Sequence, residues 1–361
     1  MFSSLNQVVL NSFFAEADSL IWRKAMKKTI ISCAVLGILS GIAHAQTNVK
    51  IYGIVDTGFI KQTDADWKMG ENTNNRIGFT GTEDLGSGLA ATFQLERRFN
   101  LNDGTSATAL DWEGAANVGL ASEKWGKVRM GRMNEISNEY IQSLDPFFQN
   151  GVGSMIWSTQ RAIRIGNTIR YDSPSMKGVN VSLRYSLSTK TDTGTDNDGY
   201  GIGVKYDGAP VLLQASWARQ ADSDNSYIWN LGASYKFGPA LVSVAYEKTD
   251  NKGWLLGNAL KTAGKQDTAF VALKWNVGPG TVLGLVEYSK LKNNAYVGND
   301  DNAVMKYALG YDYKLSKTVS IYGNISYTDY DSYQLSQTLR GAYPDYAKSS
   351  MAYAVGMTYR F

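Results

Sequence analysis

The sequence predicts an all-β fold, a sixteen-stranded antiparallel transmembrane β-barrel. Three observations predict it. At the end of the chain the odd positions Met351, Tyr353, Val355, Met357, Tyr359 and Phe361 are apolar or aromatic, while Ala352, Ala354, Gly356, Thr358 and Arg360 are small or polar. That two-residue period puts one face of a strand against an apolar phase, and eleven residues suffice for a tilted strand to cross a bilayer. The same pattern recurs along the chain, and the connections between repeats alternate short and long, as in bacterial outer-membrane barrels.

The first apolar run stands apart from this pattern. Residues 26–45 begin Met-Lys-Lys, continue through a greasy stretch from Ile30 to Ile42 and end Ala43-His44-Ala45. A basic start, a short apolar middle and a small-x-small exit read as a secretory signal peptide. Residues 1–25 precede a complete signal and are expected to reflect a misassigned start. Residues 46–361 form the barrel domain. The only histidine, His44, and the only cysteine, Cys33, leave with the leader. The mature chain then has no Ser-His-Asp site, thiol nucleophile, thiolate or imidazole metal site, or disulfide, and no enzyme activity, cofactor or metal is expected. Losing the leader's four basic and two acidic residues moves the net charge from +3 to +1. With no basic block, nucleic-acid binding has no support.

Taken in order, alternation places strands at 49–59, 76–82, 89–99, 115–122, 127–132, 166–173, 179–188, 200–207, 211–220, 227–237, 241–249, 268–276, 281–291, 304–314, 319–329 and 351–361. Glycine-bearing turns such as Leu85-Gly86-Ser87-Gly88 supply the positive φ that tight hairpins need. The aromatics Tyr206, Tyr235, Phe237, Trp275, Tyr313, Tyr359 and Phe361 gather near the short-turn ends, where a girdle at the membrane interface would hold them. In a soluble sandwich the opposite face would carry more charge; here it is largely Gly, Ser, Thr, Asn and Ala. Glu83 and Asp84 are adjacent on a strand, so they point apart and make no catalytic pair. Gly199-Tyr200-Gly201-Ile202-Gly203 is followed by alternation and not by a helix, which fails the context of a nucleotide-binding loop.

One connection breaks the rhythm. Between Arg132 and Arg164 about thirty residues show no clean strand, yet they include Ile136, Tyr140, Phe147, Phe148, Met155, Ile156 and Trp157. So apolar a loop is expected to fold inward and pack on the barrel wall.

Several runs resemble the general diffusion porins of Gram-negative outer membranes. They are Ile51-Tyr52-Gly53-Ile54-Val55-Asp56-Thr57-Gly58, Arg76-Ile77-Gly78-Phe79-Thr80-Gly81-Thr82-Glu83-Asp84-Leu85-Gly86, Phe93-Gln94-Leu95-Glu96, Val118-Gly119-Leu120, Val128-Arg129-Met130-Gly131-Arg132 and Asn167-Thr168-Ile169-Arg170-Tyr171-Asp172-Ser173-Pro174. The resemblance implies a homotrimer in the outer membrane, in contact with lipid and lipopolysaccharide, passing small hydrophilic solutes and ions. It implies that the third long loop narrows the pore, and that a final strand ending in Tyr359 and Phe361 is read by the outer-membrane assembly machinery. It assigns Arg76, Arg132 and Arg164 to a basic constriction wall, with Glu96, Arg98 and Arg129 in the lumen. Glu135, Glu139 and Asp145 become the opposing loop acids. Alternation independently turns Arg76 away from Ile77 and Phe79, but aims Arg132 at lipid. Where relatives often carry a further arginine this chain has Gly114, which weakens the case for strong anion selectivity.

Overall fold

The computed structural model describes residues 48–156, 164–188, 197–221, 226–251, 264–292, 302–331 and 349–361. The expected signal peptide, the extension before it, Trp157 and most of the long loops lie outside these residues. Sixteen long strands and one of three residues make a single closed antiparallel sheet. In chain order they are β1 (Asn48–Gln62), the short β2 (Lys68–Gly70), β3 (Arg76–Gly86), β4 (Leu89–Arg98), β5 (Ala115–Ser122), β6 (Gly126–Asn134), β7 (Arg164–Asp172), β8 (Val179–Ser186), β9 (Gly199–Gly208), β10 (Val211–Arg219), β11 (Tyr227–Phe237), β12 (Ala240–Asn251), β13 (Gly264–Val277), β14 (Gly280–Lys292), β15 (Asn302–Lys314), β16 (Val319–Tyr330) and β17 (Ser349–Arg360). Each long strand pairs with its neighbours in sequence. The barrel closes where β1 pairs with β17, from Ile54 opposite Arg360 to Gln62 opposite Ala352. The last residue extends the seam: Gly53 N donates to Phe361 O (3.0 Å) and Phe361 N donates to Gly53 O (3.2 Å).

Alternation sorts the strands into two surfaces. On β16, Ile321, Gly323, Ile325 and Tyr327 are exposed while Ser320, Tyr322, Asn324, Ser326 and Thr328 between them are buried. Apolar outside and polar inside is the arrangement a lipid-facing barrel requires. The expected girdle aromatics are all exposed, and three successive outward pairs approach one another: Tyr235–Phe237, Tyr311–Tyr313 and Tyr359–Phe361, with centroids 6.3, 6.4 and 6.0 Å apart. The short turns follow from local chemistry. In Gly238-Pro239 and Gly278-Pro279 the glycine has φ of +57° and the proline is held near −65°, the sign pattern of a type II′ hairpin turn.

Several strands run further toward the long loops than the hydrophobic pattern implies. β13 starts at Gly264 and β1 continues to Gln62, because backbone pairing continues past the bilayer where side chains no longer need to be apolar. The three-residue β2 was likewise invisible to periodicity. It pairs with β1, setting Met69 opposite Phe59.

The connection between β6 and β7 contains a helix, α1 (Ile136–Leu144). Ile136, Tyr140, Ile141 and Leu144 recur at helical spacing and are buried. Their partners lie on the inward faces of the strands. Gln214 Nε2 donates to Tyr140 O (2.5 Å), Asn230 Nδ2 to Ser137 O (2.8 Å) and Ile156 N to Glu287 Oε2 (2.6 Å). Ile141, Leu144, Phe147 and Met155 form one cluster with Phe270, Ala272 and Leu285 of the wall. Gly203 and Gly232 make the close approach possible. A Cβ on Gly203 would meet Ile136 Cγ2 at 2.6 Å, and one on Gly232 would run into Leu144.

Beside the seam, the buried carboxylate of Asp56 gathers three donors: Asn72 N (2.6 Å), the Tyr322 hydroxyl (3.1 Å) and the Thr358 hydroxyl. One side chain of β1 thus ties together the first loop, β16 and β17. Replacing Asp56 with Ala leaves three buried donors without their acceptor and is expected to cost about 3 kcal/mol. Asp56→Asn should cost less. The temperature at which the folded, fast-migrating form converts to the unfolded one on a gel measures both, and an unchanged temperature for Asp56→Ala would refute the role given to this group.

Candidate functional site

Arginines are concentrated on β3, β4, β6, β7 and β8, and the registers put like charges side by side. Arg76 stands opposite Arg98, and Arg129 opposite Arg170, which in turn stands opposite Arg184. Like charges directly across strands repel, so each pair needs carboxylates close by. Two serve the upper group. Glu96 Oε1 lies 4.0 Å from Arg76 Nη1 and 3.4 Å from Arg98 Nε; Glu113 lies 3.3 Å from Arg98 Nε and 3.8 Å from Arg164 Nη1. The Tyr52 hydroxyl donates to Glu96 Oε2 (3.0 Å) and fixes that carboxylate from the far side. In the second group Asp172 bridges Arg129 (2.7 Å) and Arg170 (2.8 Å), while Arg170 Nη1 also reaches Glu139 Oε2 at 2.6 Å.

Arg76, Arg98, Arg164, Arg129 and Arg170 line one cavity of about 430 Å³ with Glu96. Its other side is formed from the β6–β7 connection by Glu139, Gln142, Ser143 and Phe148. Five guanidinium groups therefore face the space with two carboxylates, a formal balance of +3. Glu113 and Asp172, set behind, reduce it to +1. The side chains of these arginines are only 4–19% exposed, so their charges act over longer distances than in bulk solvent.

The cavity brings together Arg76, Arg164, Glu96, Arg98, Arg129 and Glu139. Arg132 is not among its lining residues: Nε donates to the backbone oxygen of Glu113 (2.9 Å), bracing the segment that carries that carboxylate. Its position follows from the irregular pairing of β6 with β7 between Gly131 and Met133, which interrupts strict alternation. Two of the three expected loop acids do not line this cavity. Glu135 caps the helix, accepting from Ser137 N (3.4 Å), and pairs with Arg184 Nε at 3.1 Å, with both side chains fully buried. Asp145 is fully buried too, and accepts from the backbone N–H groups of Phe147 (2.9 Å), Gln149 (2.8 Å) and Met155 (3.0 Å). Burial pushes its carboxyl above the ordinary range, opposed by those three donors and by Lys306. These two acids hold the loop's shape; Glu139 is the one that faces the arginines. Tyr359 and Phe361 stand outward at the seam, far in sequence from the arginine strands they help enclose.

Glu113, Arg170, Asp172 and Arg184 complete the site and were not singled out from sequence. Arg170 and Arg184 had a signal, since each alternates with outward residues, Ile169 and Tyr171 in one case and Leu183 and Tyr185 in the other. Glu113 had none, lying in no strand. Gly114 beside it has a local reason. A Cβ there would run into the Glu96 side chain, with Cγ at 2.7 Å, so the carboxylate that organises Arg76 and Arg98 occupies the space a larger residue needs.

A family model described as Gram-negative porin matches residues 32–333. The chain belongs to the Gram-negative porin family. It is 30% identical to an outer membrane porin protein of Bordetella pertussis, covering 93% of this chain and 100% of the relative. It is 32% identical to outer membrane porin protein 32 of Delftia acidovorans, covering 88% and 94%. Among solved structures it resembles the anion-selective porin from Comamonas acidovorans with a TM-score of 0.74 and 25% identity, covering 88% of this chain and 100% of that one. The protein is accordingly an outer-membrane porin, a channel for passive diffusion with some ion selectivity. Members of this family are channel proteins, and the site needs no bond making to do its work.

The packing around Gly114 gives a direct test. Gly114→Ala is expected to displace Glu96 and lower stability by ~1–3 kcal/mol. Gly166→Ala, where a Cβ would meet nothing within 4 Å, should be close to neutral. Gel-monitored unfolding temperatures of the two variants decide it, and equal temperatures would remove the steric explanation.

Proposed function

We propose that the β6–β7 connection is the inward loop that narrows this porin, and that the arginine wall facing it gives the pore a preference for anions. The observation that carries the sign is the cavity itself, with five arginines against Glu96 and Glu139. The name of its solved relative, an anion-selective porin, points the same way. Arginine keeps its charge at any working pH and spreads it over a planar fork, so the wall is a fixed positive field and not a titrating one. An anion passing the arginines exchanges part of its hydration shell for N–H donors on one side. On the other, Gln142 and Ser143 supply neutral polar groups. The field across the gap orients dipolar solutes as they pass, and fixed charge at the narrow point sets which ions pass more readily. Arg132, Glu113 and Glu135 act in this reading as positioning residues.

Family membership and the outward apolar face further support a homotrimer. The exposed pair Tyr359 and Phe361 at the closing seam suits recognition by the outer-membrane assembly machinery. Residues 26–45 are proposed as the export signal.

The test is a planar-bilayer recording of reversal potential across a salt gradient. The combined variant Arg76→Ala, Arg98→Ala, Arg164→Ala should reduce the anion-to-cation permeability ratio about tenfold, equivalent to ~1.4 kcal/mol. Glu139→Gln should move the potential the other way, and higher ionic strength should weaken both effects by screening. A reversal potential that none of these changes moves would overturn the assignment of the filter to this wall. Conductance arriving in steps of three would support the trimer, and strictly single steps would refute it.

A further inference from the structure

The β6–β7 connection is strained at one point, and the strain displays an apolar ring where the surrounding lining is largely polar. Just past α1 the chain reads Asp145-Pro146-Phe147-Phe148-Gln149. Phe148 and Gln149 have φ of +56° and +58°, the left-handed region that glycine and asparagine accept and a bulky side chain ordinarily avoids. Such a conformation persists only where its surroundings over-determine it. Here they do. Phe148 N donates to Asp145 O (3.0 Å), and Gln149 N donates to Asp145 Oδ2 (2.8 Å). Phe148 O accepts from Gln142 Nε2 (3.2 Å) and from Asn150 Nδ2 (2.7 Å). Both polar backbone atoms of Phe148 are therefore tied down.

The two adjacent phenylalanines have opposite fates. Phe147 is buried in the cluster on the barrel wall, so close that a Cβ on Gly310 would meet its Cε1 at 2.7 Å. Phe148 is 50% exposed and lines the arginine cavity. Among the described residues of that lining it is the only aromatic one. Asparagine or glycine here would relieve the backbone and leave no apolar surface facing water. An aromatic ring held against both preferences is surface available to a solute. On the arginine side two guanidinium groups keep donors for one. Arg76 Nη1 stands 4.0 Å from Glu96 and Arg164 Nη1 stands 3.8 Å from Glu113, both beyond hydrogen-bonding distance. Arg164 Nε is buried with no hydrogen-bond partner among the described residues.

We propose that this cavity is a binding subsite for aromatic carboxylates, with the carboxylate on Arg76 and Arg164 and the ring against Phe148. The inference rests on the reading of the cavity as the narrow point of the pore. A guanidinium fork receives a carboxylate through paired, charge-assisted hydrogen bonds. The ring of the solute loses water-exposed apolar surface against Phe148 and gains the offset or edge-to-face contact that aromatic pairs favour. A short aliphatic carboxylate engages the arginines alone. The volume of about 430 Å³ is in the range that holds a small organic molecule. An aromatic acid therefore dwells in the pore and competes with inorganic anions for passage.

The test is block of chloride current in a planar bilayer by benzoate, acetate, cyclohexanecarboxylate and benzyl alcohol. Benzoate should halve the wild-type current at a concentration ~10-fold below that of acetate. Cyclohexanecarboxylate should block less well than benzoate, and benzyl alcohol, which has the ring without the charge, should not block at the same concentration. Phe148→Asn, which suits the backbone and removes the ring, should bring benzoate level with acetate, whereas Phe148→Tyr should keep the difference. The ratio of the two acids is read within each variant, so a change in overall conductance cancels. If Phe148→Asn does not fold, Phe148→Gly is read in the same way. Equal block by benzoate and acetate in the wild-type channel would overturn the proposal, as would a ratio that survives loss of the ring. Equal block by benzoate and either of the other two compounds would also overturn it. Reversal potential in the same bilayers separates the two levels of the argument. A wild-type channel without preference for chloride over potassium removes the underlying reading and the subsite with it; a chloride preference with no advantage for benzoate removes the subsite alone.

Discussion

The pairing of β1 with β17 is the constraint on which everything else depends. A strand edge cannot be left open in hydrocarbon, where each unsatisfied N–H or C=O costs several kcal/mol and no water replaces the partner. The register from Ile54–Arg360 to Gln62–Ala352 removes that edge, and Asp56 draws the first loop, β16 and β17 onto it. Closure also defines an inside. Once the sheet is a cylinder, a residue's parity in sequence decides between lipid and lumen, and the two faces can be chosen independently.

The lumen uses that freedom to concentrate charge at a density a soluble core would not tolerate. Arginines stand opposite arginines on adjacent strands because carboxylates alternate with them: Glu96 and Glu113 above, Asp172 and Glu139 beside, Glu135 behind. Removing one partner of such a network leaves a desolvated charge, and that cost commonly exceeds what the pair contributed. The network thus fixes the arginines in place and still leaves an excess of positive charge toward the cavity. The β6–β7 connection is held by different means. Its apolar side chains cluster on the wall at Phe270, Ala272 and Leu285, while Asp145 knots its backbone from within.

The outer surface shows the complementary choice. Apolar side chains meet lipid across the middle, and aromatics gather toward the interfaces. The same parity that carries arginines into the pore on β6 to β8 carries Tyr288 and Tyr307 to the outer surface on β14 and β15.

Most of the architecture was legible in the sequence. A period of two, repeated sixteen times between turns of alternating length, specifies strand number, facing and closure, because a membrane strand must satisfy lipid on one side over a fixed thickness. Parity turned Arg76 inward, and the resemblance to porins supplied Glu96, Arg98 and Arg129. Three things were not legible. The role of Arg132 changed because the pairing of β6 with β7 is irregular beside it. Glu135 and Asp145 became buried supports and not pore acids, because a helix begins at one and a backbone knot closes around the other. Glu113 joined the arginine group from outside any strand. Sequence by itself determined which face each strand residue occupies, since that depends on neighbours one position away. Tertiary structure decided which charges meet, because the pairing of an arginine with a carboxylate depends on cross-strand registers and on a loop folded back over residues far away in the chain.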